Sequence, residues 1–294
     1  MNGRVTDIQR FSLHDGSGIR TTVFLHGCNM RCLWCHNPET LTEKNTPLFY
    51  PRKCIGCGHC YTACPTGARA KDFDPALCTA CGACAESCYP EAIHMAYREM
   101  SAEDVMREAV QDSLYYALSG GGVTFSGGEA LCQRDFVSCL ADLCREKGIP
   151  CAVETNLYHP FELIRPVLEK MSLVMADIKL FDDAEHRKWT GVSNAPILEN
   201  AKKLTGLGIP VIFRTPLIPG ATDDIENLRR IASFVSALPN VQRYEILNFN
   251  PLGADKYSAL RRENPFRDAR PFPADRLDRI RQALSGCGVP VRID

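Results

Sequence analysis

Short apolar runs alternate with amphipathic stretches along most of the chain. The apolar runs have the length of buried strands, and the stretches between them carry apolar residues at helical spacing. This alternation is typical of βα units around a parallel sheet, so we predict an α/β fold. The predicted strands cover residues 21–25, 122–126, 150–154, 173–177, 210–214 and 243–247. A last run at 289–293 is expected to cover an edge of the sheet.

Four helices are predicted between these strands. Ser101 and Asp104 have the spacing of a capping box, which marks the N-terminus of a helix. The buried stripe predicted for that helix is Val105, Ala109, Leu114 and Ala117. The stripes of the other three are Phe136, Leu140 and Leu143; Ile197, Ala201 and Leu204; and Leu277, Ile280 and Leu284, with Gly286 closing the last helix.

Polar or reactive residues follow all six predicted strands. In parallel barrels the catalytic groups lie at the carboxyl ends of the strands, where such residues meet. We therefore expect a functional site at this end of the sheet. The segments concerned begin at Cys28, Ser126, Glu154, Asp177, Arg214 and Asn248.

Composition narrows the classes of function. With 294 residues, 45% of them hydrophobic, the chain can form one large domain with a small insertion. A net charge of -1 offers no broad attraction to nucleic acid or to an anionic membrane. The first residues lack the apolar run of a signal peptide, and no stretch approaches the ~20 apolar residues of a membrane span. We therefore expect a cytoplasmic protein with no nucleic-acid or membrane partner.

Sixteen cysteines are far more than a chain of this length ordinarily carries. Without an export signal, the reducing cytosol favours metal ligation over disulfide bonds. Eleven of the cysteines fall into three tight groups. The other five are expected to be small buried hydrophobic residues: Cys132, Cys139, Cys144, Cys151 and Cys287.

The first group is a C-x3-C-x2-C loop, formed by Cys28, Cys32 and Cys35, directly after the first strand. Three thiolates on so short a loop can hold three corners of a [4Fe–4S] cluster and would leave one iron open. The alternative is a zinc site, or an ordinary cubane, completed by a distant ligand such as Cys132.

The second and third groups are two copies of C-x2-C-x2-C-x3-C, offset by the 24 residues from Cys54 to Cys78. This repeat resembles the bacterial two-cluster ferredoxin, in which the fourth cysteine of each run ligates the other cluster. The resemblance implies one [4Fe–4S] cluster on Cys54, Cys57, Cys60 and Cys88, and another on Cys78, Cys81, Cys84 and Cys64. Tyr89 stands where a proline usually follows the last cysteine. The alternative is a pair of zinc sites.

The first cysteine loop, with His36, Asn37, Pro38 and Glu39 behind it, resembles the signature of radical S-adenosylmethionine (SAM) enzymes. In that signature the amino and carboxylate groups of SAM chelate the open iron. Nearly the whole chain resembles the longer type of glycyl radical enzyme activating enzyme, the family that includes the pyruvate formate-lyase activating enzyme. The matching segments are 8–20, 35–39, 126–129, 177–179 and 214–220, with Ser17 in place of a usual proline.

The resemblance implies a fold with two parts. Residues 1–46 and 98–294 would form a partial (β/α)6 TIM-type barrel. Residues 47–97 would form a ferredoxin-like insert that carries the two additional [4Fe–4S] clusters.

The resemblance also implies roles for the residues at the strand ends. Ten are expected to bind SAM: Trp34, Cys35, His36, Gly127, Gly128, Glu129, Asp177, Lys179, Arg214 and Asn250. Asn250 replaces a frequent histidine and keeps donor and acceptor capacity. The fork of Arg214 suits the methionine carboxylate, and an ion pair that only holds the barrel rim is the alternative. Glu129 is suited either to accept from the methionine ammonium or to order its loop.

A monovalent cation beside the SAM carboxylate is a further implication. Four residues match its ligand positions: Glu154, Thr155, Met175 through its backbone, and Asp177. A hard cation among oxygen ligands is chemically reasonable, although Glu154 is longer than the usual aspartate.

The implied activity is that of an oxidoreductase that cleaves SAM. One electron passed into the sulfonium gives methionine and a 5′-deoxyadenosyl radical, which abstracts hydrogen from a backbone glycine of a partner enzyme. The insert clusters would relay electrons from a flavodoxin or ferredoxin. The alternatives are a radical SAM enzyme acting on a small molecule and a three-cluster electron carrier. An arginine-rich stretch at 261–281 is expected to be a solvated face more than a docking surface.

Overall fold

The computed structural model of the protein describes residues 1–70 and 72–294. Its strands are β1 (Asn2–Ser12), β2 (Arg20–Leu25), β3 (Pro47–Phe49), β4 (Ile93–Met95), β5 (Arg98–Ser101), β6 (Gly122–Gly127), β7 (Cys151–Thr155), β8 (Leu173–Asp177), β9 (Val211–Leu217), β10 (Val241–Asn248) and β11 (Val291–Ile293). Its α-helices are α1 (His59–Thr62), α2 (Ala83–Glu86), α3 (Ala102–Ala109), α4 (Ser113–Ser119), α5 (Arg134–Glu146), α6 (Phe161–Leu168), α7 (Asp183–Thr190), α8 (Ala195–Thr205), α9 (Ile225–Ser236), α10 (Ala254–Ala259) and α11 (Ala274–Ala283). Within the described part of the chain, no helix is long and apolar enough to cross a membrane.

Nine strands form one large sheet in the order β11-β10-β9-β8-β7-β6-β2-β1-β5. The six predicted strands are β2 and β6 to β10, and every neighbouring pair among them is parallel. At one edge β11 pairs in parallel with β10, as expected for the run at 289–293. At the other edge β1 and β5 add two antiparallel strands. The sequence pattern predicts neither of these, because most positions of β1 are polar or exposed and form no apolar run.

Side chains of the parallel strands point alternately to the two faces of the sheet. Val174 of β8 packs in the large core against the helices. Its neighbour Met175 packs with Ala152 and Ile212 in a small cluster on the opposite, inner face. Because both faces are covered, these strands are apolar at nearly every position. Two positions further along β7, β8 and β9, the residues on the inner face are Glu154, Asp177 and Arg214.

The prediction of the first helix is wrong for its second half. A 3₁₀ turn at Val110–Asp112 separates α3 from α4 and changes the direction of the helical stripe. Val105 and Ala109 of α3 are buried as predicted. Leu114 and Ala117 of α4 are exposed, and Tyr116 takes their place in the core.

The other predicted helices are present. Ser101 caps α3 as expected, since its Oγ accepts a hydrogen bond from the Asp104 amide at 3.1 Å. The stripes of α5, α8 and α11 face the core, with Leu143 and Leu277 half-buried and the remaining positions buried: Phe136, Leu140, Ile197, Ala201, Leu204, Ile280 and Leu284.

The backbone conformation of the segment between β3 and β4 occurs twice, once in each half of the segment. β3 and β4 pair antiparallel in a small sheet of their own, so the two ends of this segment lie next to each other. The two short helices α1 and α2 each follow a glycine of positive φ. Residues with positive φ also recur at the 24-residue offset of the cysteines. The matching positions are Gly56 and Ala80, Gly58 and Gly82, and Gly67 and Glu91.

Candidate active site

A cavity of about 630 Å³, here called the main cavity, lies at the carboxyl ends of the parallel strands. The thiols of Cys28, Cys32 and Cys35 line it, and within the described chain no other cysteine does. The residues expected to bind SAM also line it: Trp34, Cys35, His36, Gly127, Gly128, Glu129, Asp177, Lys179, Arg214 and Asn250. The residues expected to hold a cation also line the main cavity: Glu154, Thr155, Met175 and Asp177.

The cysteine loop is held in shape by the end of α7. The amide of Arg31 donates to the carbonyl of Thr190 at 2.9 Å, and the amide of Leu33 donates to the carbonyl of Trp189 at 3.1 Å. These bonds fix the middle of the loop, so its three thiols are presented together to the main cavity.

An aromatic cluster forms one wall beside this loop. The Trp34 ring lies 6.1 Å from the Trp189 ring and 6.4 Å from the Phe266 ring, measured between centroids. Ile218 and Phe249 complete the apolar packing and line the main cavity with Trp34. This wall is suited to stack against a flat heterocycle such as adenine.

The chemistry of the three thiols fits an iron–sulfur cluster. Burial raises the pKa of Cys28 to about 11 and that of Cys35 to about 12, and it also raises the pKa of Cys32. Because a buried thiol resists ionisation, stable thiolates here need a positively charged partner such as a metal cluster. Among the described residues, no three Cys, His, Asp or Glu side chains are arranged to hold a single metal ion. The donor set of three soft sulfurs around one cavity suits a [4Fe–4S] cluster with an open iron.

Two glycines allow the loop after β6 to touch the loop after β2. A Cβ on Gly128 would lie 2.3 Å from the carbonyl oxygen of Gly27 and 2.7 Å from Oγ1 of Thr40. A Cβ on Gly127 would lie 2.2 Å from the carbonyl oxygen of Leu25, and φ of Gly127 is 125°. Both glycines are expected from the sequence to bind SAM, and the structure also requires them for close contact between two segments of the chain itself.

The carboxylate of Glu129 joins the loops after β6 and β7. It accepts hydrogen bonds from the Thr155 hydroxyl at 2.9 Å, the Asn156 amide at 2.7 Å and the Leu131 amide at 3.1 Å. Glu129 is 2% exposed. Of the two roles considered from the sequence, these contacts correspond to ordering of the loop.

The guanidinium of Arg214 is already engaged by the chain. It donates to the Glu245 carboxylate at 2.7 Å, to the Glu154 carboxylate, and to the carbonyl of His14 at 2.9 Å. Glu154 also accepts from Ser126. The fork of Arg214 is therefore used in a buried ion-pair network, which is the alternative considered from the sequence, and not held free for a ligand carboxylate.

The second candidate cation, Lys179, is also paired. Its ammonium lies 2.5 Å from the Asp177 carboxylate. Burial opposes its charge, but Asp177 and the nearby Cys32 outweigh this and raise the pKa of Lys179. Both acidic residues of the proposed cation site thus face a cationic side chain, Asp177 with Lys179 and Glu154 with Arg214.

Some residues of the site are missed by sequence reasoning. Asn156 donates to Oδ1 of Asn29 at 2.8 Å and faces the Cys28 sulfur at 3.9 Å, so it orients the cysteine loop. Its place directly after β7 is the signal that could have identified it. His14 and Asp15 line the main cavity from the 8–20 motif.

A distant helix also supports the cysteine loop. Lys256 of α10 donates to the side chain of Asn37 at 2.7 Å and to the carboxylate of Glu39 at 2.6 Å. Asn37 in turn donates to the carbonyl of Gly127 at 3.0 Å. No sequence signal marks Lys256, because the contact spans more than 200 residues.

The insert brings part of its cysteines together around a small cavity. Cys64 lines it with Cys78, Cys81 and Cys84, and we call these four the Cys64 site. The set expected on the other cluster, here called the Cys88 site, is Cys54, Cys57, Cys60 and Cys88. Burial raises the pKa of Cys60, Arg69 opposes this, and the neighbouring thiols of Cys88 and Cys54 add to it. All eight cysteines are free thiols in the structure.

The five isolated cysteines differ in burial. Cys144 and Cys151 are buried, and Cys139 and Cys287 are partly buried against the core. The prediction is wrong for Cys132, which is exposed. Cys132 lies beside the cysteine loop, since a Cβ on Gly27 would be 3.9 Å from its Cβ, but it does not line the main cavity.

Known proteins resemble this chain in sequence and in fold. The radical SAM superfamily matches residues 22–232. The (2S)-3-sulfopropanediol dehydratase activating enzyme of Klebsiella oxytoca is 40% identical over 270 residues, which cover 88% of this chain and 85% of the relative. The trans-4-hydroxy-L-proline dehydratase activating enzyme of Clostridioides difficile is 36% identical and covers 100% of this chain and 99% of its own.

Solved structures agree with this at the level of the fold. A domain of a pyruvate-formate lyase-activating enzyme from Bacteroides vulgatus ATCC 8482 has a TM-score of 0.50 at 26% identity, covering 60% of this chain and 99% of that domain. A radical SAM methyltransferase from Sphaerobacter thermophilus has a TM-score of 0.56 at 13% identity, covering 99% and 76%. With three thiols on one cavity and relatives that match nearly end to end, the chain belongs to the radical SAM superfamily and, within it, to the glycyl radical enzyme activating enzymes.

Proposed function

We infer that this protein activates a glycyl radical enzyme. The observation that carries the inference is the convergence of Cys28, Cys32 and Cys35 with the polar strand ends on one cavity, in a chain whose relatives are named activating enzymes. A [4Fe–4S] cluster with bound SAM supplies reductive cleavage to a 5′-deoxyadenosyl radical, which takes hydrogen from a backbone glycine of the partner.

The residues of the main cavity bind and orient SAM in this proposal. Trp34, Cys35 and His36 lie on the adenine side, where the aromatic cluster excludes water. Gly127, Gly128 and the loop ordered by Glu129 face the methionine end. Asp177, Lys179 and Asn250 complete the set.

Arg214 has a revised role in the proposal. Because its fork holds Glu154, Glu245 and the His14 carbonyl, Arg214 positions the segment around His14 at the cavity and contacts SAM at most through its remaining N–H groups.

A monovalent cation near the SAM carboxylate remains part of the proposal. Thr155, the Met175 carbonyl and Asp177 offer oxygen ligands on the cavity wall. Both acidic candidates already pair with a cationic side chain, Glu154 with Arg214 and Asp177 with Lys179, so a bound cation would share them. A cation at this place predicts that SAM affinity depends on whether the buffer holds potassium or only a bulky organic cation.

We further propose that residues 47–97 form a ferredoxin-like domain with two [4Fe–4S] clusters, set into the partial (β/α)6 barrel. The repeated backbone and the gathering of the Cys64 site support this assignment. Two complete sets of four cysteines leave no iron open for a substrate, so the domain serves as an electron path from a flavodoxin or ferredoxin.

The proposed function is tested with the reconstituted protein, SAM and dithionite under anaerobic conditions. With a glycyl radical enzyme from the same gene neighbourhood present, electron paramagnetic resonance (EPR) should show a glycine-centred doublet, and 5′-deoxyadenosine should accumulate. Turnover of a small metabolite in step with SAM, with no doublet on any candidate partner, would contradict the assignment.

Cys132 provides the matched control for the cluster ligands. Cys28→Ala should abolish 5′-deoxyadenosine, whereas Cys132→Ala should leave both product and iron content unchanged, because Cys132 lies outside the main cavity. Loss of iron in both variants would favour a fourth protein ligand at Cys132 and would contradict the open iron.

A further inference from the structure

The two halves of the insert differ in one short segment. The repeat places Thr66 opposite Pro90 and Arg69 opposite Ile93 at the 24-residue offset. Proline has no N–H and isoleucine has no polar side chain, so the Thr66 amide and the side-chain donors of Thr66 and Arg69 have no counterpart after Cys88. The backbone remains matched across this difference.

Arg69 is buried, and part of its guanidinium has no partner among the residues that the structure describes. It is 5% exposed, and its guanidinium carbon lies 5.0 Å from the Phe49 ring centre and 5.2 Å from the Phe73 ring centre. Its Nη2 is buried and has no hydrogen-bond partner among the described residues. Arg69 also acts on Cys60 of the Cys88 site, but it lines the cavity of the Cys64 site, and this placement distinguishes the two sites.

A buried and unpaired guanidinium is costly unless an anionic group compensates it. A [4Fe–4S] cluster held by four thiolates carries net negative charge, and one more negative charge when it is reduced. Arg69 therefore has its missing partner in the group that the Cys64 site would hold.

Cys64 has additional donors of its own. The Thr66 hydroxyl lies 3.7 Å from the Cys64 sulfur. The amides of Thr66, Ala68 and Arg69 also face this sulfur. Hydrogen bonds to the cluster sulfurs and nearby positive charge both favour the reduced cluster.

We propose that Arg69, assisted by Thr66, gives the cluster of the Cys64 site a higher reduction potential than that of the Cys88 site. An electron that enters the insert from the reduced donor protein then occupies the Cys64 site first. Arg69 and Thr66 are tuning residues in this proposal and not ligands. The inference rests on the proposed function of the insert.

The test is a potentiometric titration with EPR detection. The starting protein is the full chain with Cys28, Cys32 and Cys35 replaced by Ala, so that only the insert clusters contribute. It should contain about eight irons per chain and show two separate midpoints. Arg69→Met should lower the higher midpoint by at least the equivalent of a tenfold change in the one-electron equilibrium, 59 mV, and so reduce the separation.

Two controls separate charge from structure. Arg69→Lys keeps the charge and should restore most of the separation. Arg261→Met removes an exposed arginine that stacks on the same Phe73 ring at 5.5 Å and should leave both midpoints unchanged.

The other possible results distinguish the tuning role of Arg69 from the assignment of the two clusters. Unchanged midpoints in Arg69→Met at full iron content would overturn the tuning role and leave the insert clusters intact. Absence of the eight irons from the starting protein would overturn the cluster assignment and the tuning role together. If Arg69→Met loses its clusters, the same titration is carried out on Thr66→Val. An unchanged higher midpoint in Thr66→Val would then overturn the proposal.

Discussion

Arg214 shows how one residue can satisfy two different explanations of a sequence. A planar fork at the end of a strand suits a ligand carboxylate, and it suits buried glutamates equally well. The structure pairs Arg214 of β9 with Glu245 of β10, the adjacent strand, and with Glu154 of β7, which lies two strands away in the sheet. At the scale of the residue, stability and ligand binding are therefore coupled at this position.

Replacing Arg214 with Met should lower the free energy of unfolding by about 3 to 5 kcal/mol, because the buried Glu245 and the partly buried Glu154 lose their common partner. Urea unfolding under anaerobic conditions measures this loss. The triple variant with Glu154→Gln and Glu245→Gln should recover part of it. Unchanged stability with a large loss of SAM affinity would instead assign Arg214 to the ligand.

At the scale of the elements, the antiparallel strand β1 is tied to the parallel sheet and its helices by one carboxylate. Asp112, at the 3₁₀ turn before α4, accepts from Arg10 of β1 at 2.9 Å and from Thr21 of β2 at 2.9 Å. The hydroxyl of Tyr116 donates to Thr21 at 2.6 Å. The helix break that the sequence pattern does not predict is therefore the point at which three elements are joined.

Asp112→Asn should destabilise the protein by roughly 1 to 2 kcal/mol at neutral pH, a value kept low because Arg10 is half-exposed and screened. The hydrogen bond from Arg10, opposed by burial, lowers the pKa of Asp112 in the folded protein. Its contribution is therefore complete above the unfolded pKa of about 3.9 and is lost as the pH falls through the lower folded pKa.

Urea unfolding of both proteins between neutral and acidic pH checks this. The difference between wild type and Asp112→Asn should shrink towards zero only in acid. Glu169→Gln, which breaks the exposed pair with Arg165, is the control and should change stability by less than about 0.5 kcal/mol at any pH. A difference that stays constant down to acid would contradict the role of the charge.

At the scale of the whole molecule, we propose separate chemical tasks for residues 47–97 and for the large sheet. The insert lies between β3 and β4, outside the large sheet, while the main cavity is built from the strand ends of that sheet. Contacts such as that from the Arg261 guanidinium to the Phe73 carbonyl, at 3.2 Å, connect the two. Removal of the insert clusters should accordingly affect electron supply more than SAM binding.

The double variant Cys57→Ala/Cys81→Ala removes one proposed ligand from each of the two clusters proposed for the insert. Activation driven by flavodoxin should fall roughly tenfold or more beyond any loss with dithionite, since a tenfold change in a one-electron equilibrium corresponds to 59 mV of driving force. SAM affinity, measured by equilibrium binding, should stay near that of the wild type. Equal losses with both reductants would mean that the insert serves folding or docking.

The control for this experiment also replaces two cysteines. Cys139→Ala/Cys287→Ala changes residues that pack against the core outside the three groups. It should leave activation unchanged with either reductant.

Local information in the sequence was sufficient for the seven parallel strands, for the stripes of three of the four predicted helices and for the cysteine groups. Strand positions follow from apolar runs because both faces of a parallel strand are buried, and this property is visible one strand at a time. The ligand candidates follow from spacing, because a short loop with three thiols restricts the geometry of what it can bind. The residues at the strand ends also meet at one cavity, since parallel strands end on the same side of a sheet.

Only the tertiary structure decided which partners these residues take. Arg214 pairs with glutamates 60 and 31 positions away, and Lys256 contacts a loop 219 positions away. Arg69 lies between two rings, and one of its nitrogens has no partner in the described part of the chain. Such pairings leave no periodic pattern in the chain, because they depend on the packing of whole elements and not on local spacing. The sequence therefore determined which groups are present at the site, and the fold determined which of them remain free to act.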